Sequence, residues 1–124
     1  SCGGISSTLR DFARFGLLHL NNGILNGRQI IPKFWIDDIR SGKHGLDNES
    51  LREMLPNGQY RNQFWVEDKE KTTVMCIGVF GQLIYIAPEY DMVVVKFSTW
   101  PDFVSTEHKL NTLSAIHAIA KNYR

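Results

Sequence analysis

Hydrophobic positions in the first third of the chain follow a helical spacing. Such a face runs from residue 9 to residue 20, and Thr8 with Asp11 three positions later has the pattern of a capping box. The pair Asn26-Gly27 predicts a tight turn, and Pro32 is well placed at the first position of a short helix over about residues 32–40. The polar residues 41–57 predict a surface loop with room for one helical turn.

The middle of the chain changes to strand-like patterns, and a helix closes it. Four strands are predicted, at about residues 60–67, 72–78, 82–87 and 91–98. Met92 to Val95 are apolar on both faces, which favours a central strand covered on both sides. The closing helix, from about residue 104 to 122, carries one apolar face: Leu110, Leu113, Ile116, His117, Ala120 and Tyr123. We therefore predict an α+β fold, an antiparallel sheet of about four strands covered by a C-terminal helix and N-terminal helices.

Composition and charge restrict the class of protein. With 124 residues, 43% of them hydrophobic and 11% aromatic, the chain can form one core, so residues 1–124 read as a single domain or one piece of a larger one. No run is long and apolar enough to predict a membrane span. The net charge is +1, and 14 basic and 13 acidic residues are scattered, which indicates neither a nucleic acid nor an anionic membrane as partner.

Cysteine and histidine usage predicts no metal site and no cofactor. Cys2 and Cys76 lack metal-type spacing, and nothing near the four histidines completes a zinc or haem pattern. Free thiols are the default expectation and favour a reducing compartment. The chain begins at Ser1 with neither an initiator methionine nor a signal peptide, so both cytoplasm and periplasm stay open.

A turn with two glycines carries the chemistry of most interest. Gly78 and Gly81 separate an apolar strand from the next one. Glycine can adopt a positive φ and allows close approach of a ligand, so strand amides beside the turn could be offered to a substrate oxygen. An ordinary hairpin with no site is the alternative reading of this pattern alone.

Four segments in sequence order resemble motifs of one superfamily. They are Gly3 to Gly16 (Gly-Gly-Ile-Ser-x-Thr-x-x-Asp-x-Ala-Arg-Phe-Gly), Gln63-Phe64-Trp65, Gly78-Val79-Phe80-Gly81-Gln82, and Ser98-Thr99-Trp100-Pro101. The superfamily is that of β-lactamases and penicillin-binding proteins. Within it, these segments are most similar to the class C-like branch that holds 6-aminohexanoate-dimer hydrolases and related esterases. The resemblance implies a β-lactamase/transpeptidase-like fold.

The resemblance also implies a nucleophile that this chain does not contain. The family uses a Ser-x-x-Lys motif with an upstream tyrosine, and no serine here is followed three positions later by lysine. Tyr60-Arg61-Asn62 spells the family's Tyr-x-Asn, but it directly precedes the Gln-Phe-Trp strand, whereas the family's motif lies well upstream. We therefore expect the chain to be the C-terminal portion of a longer serine hydrolase, inactive alone.

The expected mechanism is attack on an amide or ester carbonyl to form an acyl-enzyme, which water releases. By resemblance, the backbone N–H of Val79 is a second oxyanion donor, shaped by Ile77 and Gly78, while Phe80 and Trp65 bind substrate. Class C β-lactamases carry Lys-Thr-Gly on this strand, but Val74-Met75-Cys76 precedes Ile77 here, so a small-molecule amide or ester is favoured over a β-lactam. For both Trp65 and Trp100, aromatic packing between sheet and helix is the alternative to lining the substrate pocket.

Two other classes of function stay open. One is a non-catalytic relative that keeps the fold for binding or assembly. The other is a self-contained thiol enzyme built on Cys76 and a histidine. The alternative interpretation is that Cys76 is an inert small hydrophobic residue and that His117 is a helix–sheet contact. Because residues 92 to 97 are apolar on both sides, the isolated chain is also expected to self-associate.

Overall fold

A computed structural model describes residues 3–122, so Cys2 and Tyr123 lie outside the described part. Its helices and strands in chain order are α1 (Leu9–Leu20), β1 (Ile24–Leu25), β2 (Arg28–Gln29), α2 (Lys33–Ser41), α3 (Glu49–Met54), β3 (Gln59–Arg61), β4 (Phe64–Val66), β5 (Val74–Ile77), β6 (Leu83–Ala87), β7 (Met92–Lys96) and α4 (Thr106–Asn122).

Strands β3 to β7 form one antiparallel sheet in which each strand pairs with its neighbours in sequence. In the register, Cys76 lies opposite Ile84, and Tyr85 lies opposite Val94. A meander of this kind needs only short turns, which agrees with the short glycine-containing and proline-containing connections of the sequence. The predicted α+β fold with an antiparallel sheet and a C-terminal helix is confirmed.

Side chains of the sheet alternate between two apolar cores, as the period of two requires. Met75 and Tyr85 face a core that includes Leu113 and Ile116 of α4. On the other face lies a second core, which includes Val74, Ile84 and Ile86 with residues of α1 and α2. Strand β6 is buried along its whole length.

Helix α1 shows how local signals and packing agree. Thr8 Oγ1 accepts the N–H of Asp11 at 3.1 Å and donates to its carboxylate at 2.8 Å, so the predicted cap is confirmed. The helix lies on β6 and β7. A Cβ at Gly16 would be 2.5 Å from Val93 Cγ1, so glycine at this position is what lets the helix approach the sheet.

Further along the chain, the turn at Asn26-Gly27 joins β1 to β2, as predicted. Helix α2 begins at Lys33 with Pro32 as its N-cap, so Pro32 lies one position earlier in the helix than predicted. Among residues 3–122, no helix has both the length and the apolar character to cross a membrane.

Two predictions about the sheet are corrected by the structure. The first predicted strand is the hairpin of β3 and β4, which turns at Asn62-Gln63 with φ of 49° and 70°. Within the described residues, β7 is an edge strand rather than a central one, because it pairs only with β6. The predicted surface loop contains the short helix α3, for which the prediction left room, and the buried side chains of Leu51 and Leu55 anchor it to the core.

Candidate active site at the turn between strands β5 and β6

The turn after β5, Val79–Gly81, follows an extended Gly78, and its middle residue, Phe80, has a positive φ of 55°. Gly81 has the predicted positive φ (87°), but Gly78 does not: its φ is −107° and its ψ is 166°. Gly78 is instead part of the ladder, and its N–H donates to Gln82 O at 2.9 Å. A Cβ at Gly78 would lie 3.0 Å from Gln82 Cβ, so the space beside Gln82 is what favours glycine there.

The N–H of Val79 is available to a ligand. Neighbouring residues of a strand direct their N–H groups to opposite sides, and Gly78 already faces β6, so Val79 N–H faces away from that strand. No group within residues 3–122 accepts a hydrogen bond from it, and the Val79 residue is 55% exposed. An unpartnered amide fixed by the fold is the kind of donor that stabilises an oxyanion.

Backbone hydrogen bonds to the segment after β7 hold this turn in place. Phe80 N–H donates to Phe103 O at 2.9 Å, and Trp100 N–H donates to Phe80 O at 3.2 Å. The Gln82 side chain bridges to Ser98, donating to its carbonyl at 2.6 Å and accepting its N–H at 3.1 Å. The Gln82 side chain and the Ser98 backbone, which belong to two of the sequence motifs, therefore join the turn to the segment after β7.

The indole ring of Trp100 packs directly on Gly81. A Cβ at Gly81 would lie 2.4 Å from Trp100 Cε2, so any side chain would displace the ring. Lys96 completes this arrangement, since its Nζ lies 4.8 Å from the centre of the Trp100 ring and donates to Gly81 O at 3.2 Å. Burial lowers the pKa of Lys96.

Cavities open on both sides of the turn. We call the one between α3, α4 and the turn the α4-side cavity; its volume is about 300 Å³, and Ile77, Gly78 and Val79 line it. Two adjoining clefts on the opposite face, of about 480 and 520 Å³, are lined in part by α1; Gly78 and Val79 border the smaller one and Ile77 borders both. The predicted site residues Ile77, Gly78 and Val79 thus lie where a substrate has access from both sides.

The two aromatic residues predicted to bind substrate are placed differently from each other. Trp65 lines the α4-side cavity and one α1-side cleft, and its ring lies 4.8 Å from that of Tyr60. Phe80 lines none of these cavities; its backbone anchors the turn as described. Trp100 lines the α4-side cavity and packs on Gly81.

The Tyr-x-Asn sequence has structural partners. Arg61 donates to both carboxylate oxygens of Asp38, at 2.9 and 3.0 Å, and Asn62 donates to Oδ2 at 2.6 Å. These bonds join the β3–β4 hairpin to α2, and they hold the pKa of Asp38 below its usual value. Tyr60 donates to Gln63 Oε1 at 2.9 Å and lines an α1-side cleft.

The structure gives no support to a thiol enzyme. Cys76 packs against the core shared with α1, and burial raises the pKa of its thiol to about 12. His117 lies on the other side of the sheet, where its Nε2 contacts Glu67 Oε1 at 2.7 Å and Glu67 Oε2 accepts the hydroxyl of Tyr85 at 2.7 Å. No histidine among residues 3–122 is hydrogen-bonded to Cys76, so Cys76 has no base beside it.

Two charged residues of the α4-side cavity were not predicted from the sequence. Lys109 of α4 and Glu53 of α3 both line it. The helix face was predicted to begin at Leu110, which is 44% exposed, whereas Lys109 shares the inner face with Leu113. The signal in the sequence was that Lys109 lies four positions before Leu113, a spacing that places both residues on the same face of a helix. In the part of the chain that the structure describes, no group of three or more His, Cys, Asp or Glu side chains could hold a metal ion.

Comparison with known proteins identifies relatives of this chain. It is 34% identical over 102 residues to 6-aminohexanoate-dimer hydrolase of Paenarthrobacter ureafaciens, a match that covers 81% of this chain and 26% of that protein. A solved structure from Bacillus anthracis, which carries the name "putative 6-aminohexanoate-dimer hydrolase", superposes with a TM-score of 0.72 and 34% identity over 92% of this chain and 28% of that one. No protein-family model matches.

These matches confirm the resemblance found in the motifs. The chain has homologues named 6-aminohexanoate-dimer hydrolase, and it shares the fold of the matched region of the solved structure. It spans about a quarter of the length of each of the two relatives. Both relatives are hydrolases by name, which supports the predicted class of hydrolase-like protein.

Proposed function

We propose that this chain is the C-terminal portion of the catalytic domain of a longer serine hydrolase that acts on small-molecule amides or esters. Two findings support the proposal. One relative is named 6-aminohexanoate-dimer hydrolase and the other putative 6-aminohexanoate-dimer hydrolase, and each is several times longer than the matched region. The chain itself has no Ser-x-x-Lys sequence, so the nucleophile and its base would come from the rest of the protein.

The unpartnered N–H of Val79 is the observation that carries the proposed mechanism. A lysine-activated serine would attack the carbonyl carbon, and the carbonyl oxygen would gain negative charge in the tetrahedral intermediate. Val79 N–H would donate to that oxygen together with the N–H of the serine. Collapse of the intermediate releases the amine or alcohol and leaves an acyl-enzyme, which water then hydrolyses.

The turn is suited to this role because it is fixed before substrate binds. Its hydrogen bonds to Phe103 and Trp100, and the packing of Trp100 on Gly81, define the position of Val79. A donor held in this way needs little reorganisation when charge develops on the substrate oxygen, which is where an oxyanion site obtains most of its effect.

Hydrolysis of 4-nitrophenyl acetate tests the proposal on two proteins. The 124-residue chain should show no turnover above buffer, because it lacks a nucleophile, whereas the longer protein should turn over ester and be inactivated by a serine-directed inhibitor. Serine-dependent turnover by the chain alone would contradict the proposal. A longer protein with neither Ser-x-x-Lys nor esterase activity would favour a non-catalytic relative instead.

A further inference from the structure

We propose that Asn26 is a site of spontaneous covalent modification, at which the side-chain amide is lost and aspartate and isoaspartate form. The co-reactant is water, and ammonia is released. The site lies in the β1–β2 turn and shares no residue with the turn between β5 and β6, so this inference goes beyond the proposed hydrolase function. It separates Asn26 from two other asparagines that also precede a glycine.

The reaction begins when the backbone nitrogen of Gly27 attacks the side-chain carbonyl carbon of Asn26. The new C–N bond closes a succinimide ring, the backbone N–H gives its proton to solvent base, and the side-chain nitrogen leaves as ammonia. Water then opens the ring. Cleavage of the new C–N bond gives aspartate, whereas cleavage of the original peptide C–N bond gives isoaspartate, in which the main chain contains one additional methylene. Glycine favours the attack because no side chain shields its nitrogen.

The backbone N–H groups distinguish the possible sites. Three asparagines of the chain precede a glycine: Asn22, Asn26 and Asn57. The glycines after the first and the last of them, Gly23 and Gly58, are buried. Gly23 N–H donates to Leu18 O at 2.8 Å, and Gly58 N–H donates to Leu55 O at 2.9 Å. A buried N–H that is already hydrogen-bonded is not free to lose its proton to solvent base.

The asparagine side chains show the same difference. Asn22 Oδ1 accepts a hydrogen bond from the Arg40 guanidinium at 2.7 Å, and Asn57 Nδ2 donates to the carboxylate of Asp68. These bonds hold each side chain away from the nitrogen that would attack it. Ring closure at either position therefore requires both the side-chain bond and the backbone bond to break first.

Asn26 and Gly27 have neither form of protection. Both residues are exposed and lie between β1 and β2, outside either strand. Within residues 3–122, no group forms a hydrogen bond with the N–H of Gly27 or with the side chain of Asn26. A Cβ at Gly27 would meet no atom within 4 Å, so the attacking nitrogen is open to solvent base.

The hairpin itself permits the movement that ring closure requires. Strands β1 and β2 have two residues each, all of them exposed, and they pair only with each other. A two-stranded hairpin of this size has little stability of its own, so its local opening costs little free energy.

Isoaspartate at position 26 would change the pairing of the hairpin. Leu25 lies opposite Arg28, which requires a loop of two residues. The additional methylene of isoaspartate lengthens this loop, so the two strands should separate, whereas aspartate leaves the main chain unchanged. Asn26→Asp is therefore the matched control, and amide hydrogen exchange should be faster in β1 and β2 of the isoaspartate form than in this variant.

Peptide mass spectrometry tests the choice of site. The longer protein is kept in mildly alkaline buffer, folded in one sample and in concentrated urea in the other, and conversion at each asparagine is followed with time. In urea the three Asn-Gly pairs should react at similar rates. In the folded protein Asn26 should keep most of its rate in urea, whereas Asn22 and Asn57 should be slowed at least about 10-fold, because two hydrogen bonds must break at each.

The peptides allow each site to be assigned separately. Trypsin leaves Asn22 and Asn26 together in the peptide that ends at Arg28, so fragmentation of the main chain by electron transfer identifies the converted residue and distinguishes isoaspartate from aspartate. Equal protection of all three asparagines in the folded protein, or faster conversion at Asn22 or Asn57 than at Asn26, would overturn the assignment.

Two variants test the chemistry at the site. Asn26→Gln keeps a side-chain amide but would have to close a larger ring, so loss of ammonia at position 26 should fall to background. Gly27→Ala keeps Asn26 and places a methyl group beside the attacking nitrogen, so conversion should be slower. Conversion at Asn57 should be unchanged in both variants. Loss of ammonia from Asn26→Gln at the rate of the parent would refute attack by the Gly27 nitrogen.

Discussion

Replacement of Gly81 by alanine should destabilise the protein through the indole of Trp100. The new Cβ would lie 2.4 Å from Trp100 Cε2, so the ring would have to move by about 1 Å to reach an ordinary contact of 3.4 Å. That movement is opposed by the hydrogen bond from Trp100 N–H to Phe80 O and by Lys96 above the ring. Overpacking of this kind costs about 1–3 kcal/mol. A positive φ adds about 1–2 kcal/mol for a residue with a Cβ.

Gly27→Ala is the matched control for this change. Gly27 also has a positive φ, 74° against 87° for Gly81, but a Cβ there would meet no atom within 4 Å. Both variants should therefore be destabilised by the positive φ, and only Gly81→Ala should also be destabilised by the contact with Trp100. The two variants should then differ by about 1–3 kcal/mol in the free energy of unfolding, measured with urea. Equal losses, within about 0.5 kcal/mol, would show that Trp100 does not restrain the turn.

Three further predictions concern a helix cap, a thiol and association. Thr8→Ala should lower the free energy of unfolding by about 1 kcal/mol, because Asp11 N–H loses its acceptor, while Thr8→Ser should keep most of it. Cys76, with a pKa of about 12, should react with iodoacetamide at pH 8 about 1000-fold more slowly than a thiol of pKa 9.0, measured by peptide mass spectrometry; a fast reaction would restore the thiol-enzyme hypothesis. The isolated chain should self-associate in sedimentation through exposed apolar side chains such as Phe34 and Phe103, and a monomer at all concentrations would contradict this.

Local signals in the sequence predicted most of the fold. The cap at Thr8 and the Asn26-Gly27 turn are specified by residues adjacent in sequence, and the structure has both. The hairpin of β3 and β4 was missed because Asn62-Gln63 lacks the glycine that usually marks such a turn. The apolar run of β7 did not reveal its edge position, since strand order depends on pairing between distant segments.

Only the part of the candidate site that lies on the strand and the turn could be predicted from the sequence. Ile77, Gly78 and Val79 are consecutive, so a motif could locate them together. Glu53 lies on α3, before the strands of the sheet in sequence, and Lys109 lies on α4, after them. Only the packing of α3 and α4 on the sheet brings the two side chains to the same cavity. The prediction of a positive φ at Gly78 was wrong, because its N–H donates to Gln82 O and the residue continues the hydrogen-bonded pairing of β5 with β6.

Removal of a single N–H group tests the central claim most directly. Val79 is the first residue of its turn, where proline is tolerated, and the preceding Gly78 has the extended conformation that proline requires before it. In the longer protein, Val79→Pro should lower kcat for ester hydrolysis about 10²- to 10³-fold, the cost of one oxyanion donor, whereas Val79→Ala, which keeps the N–H, should stay within a few-fold of the parent. Circular dichroism establishes that both variants are folded. A folded Val79→Pro enzyme with undiminished kcat would contradict the role of this amide.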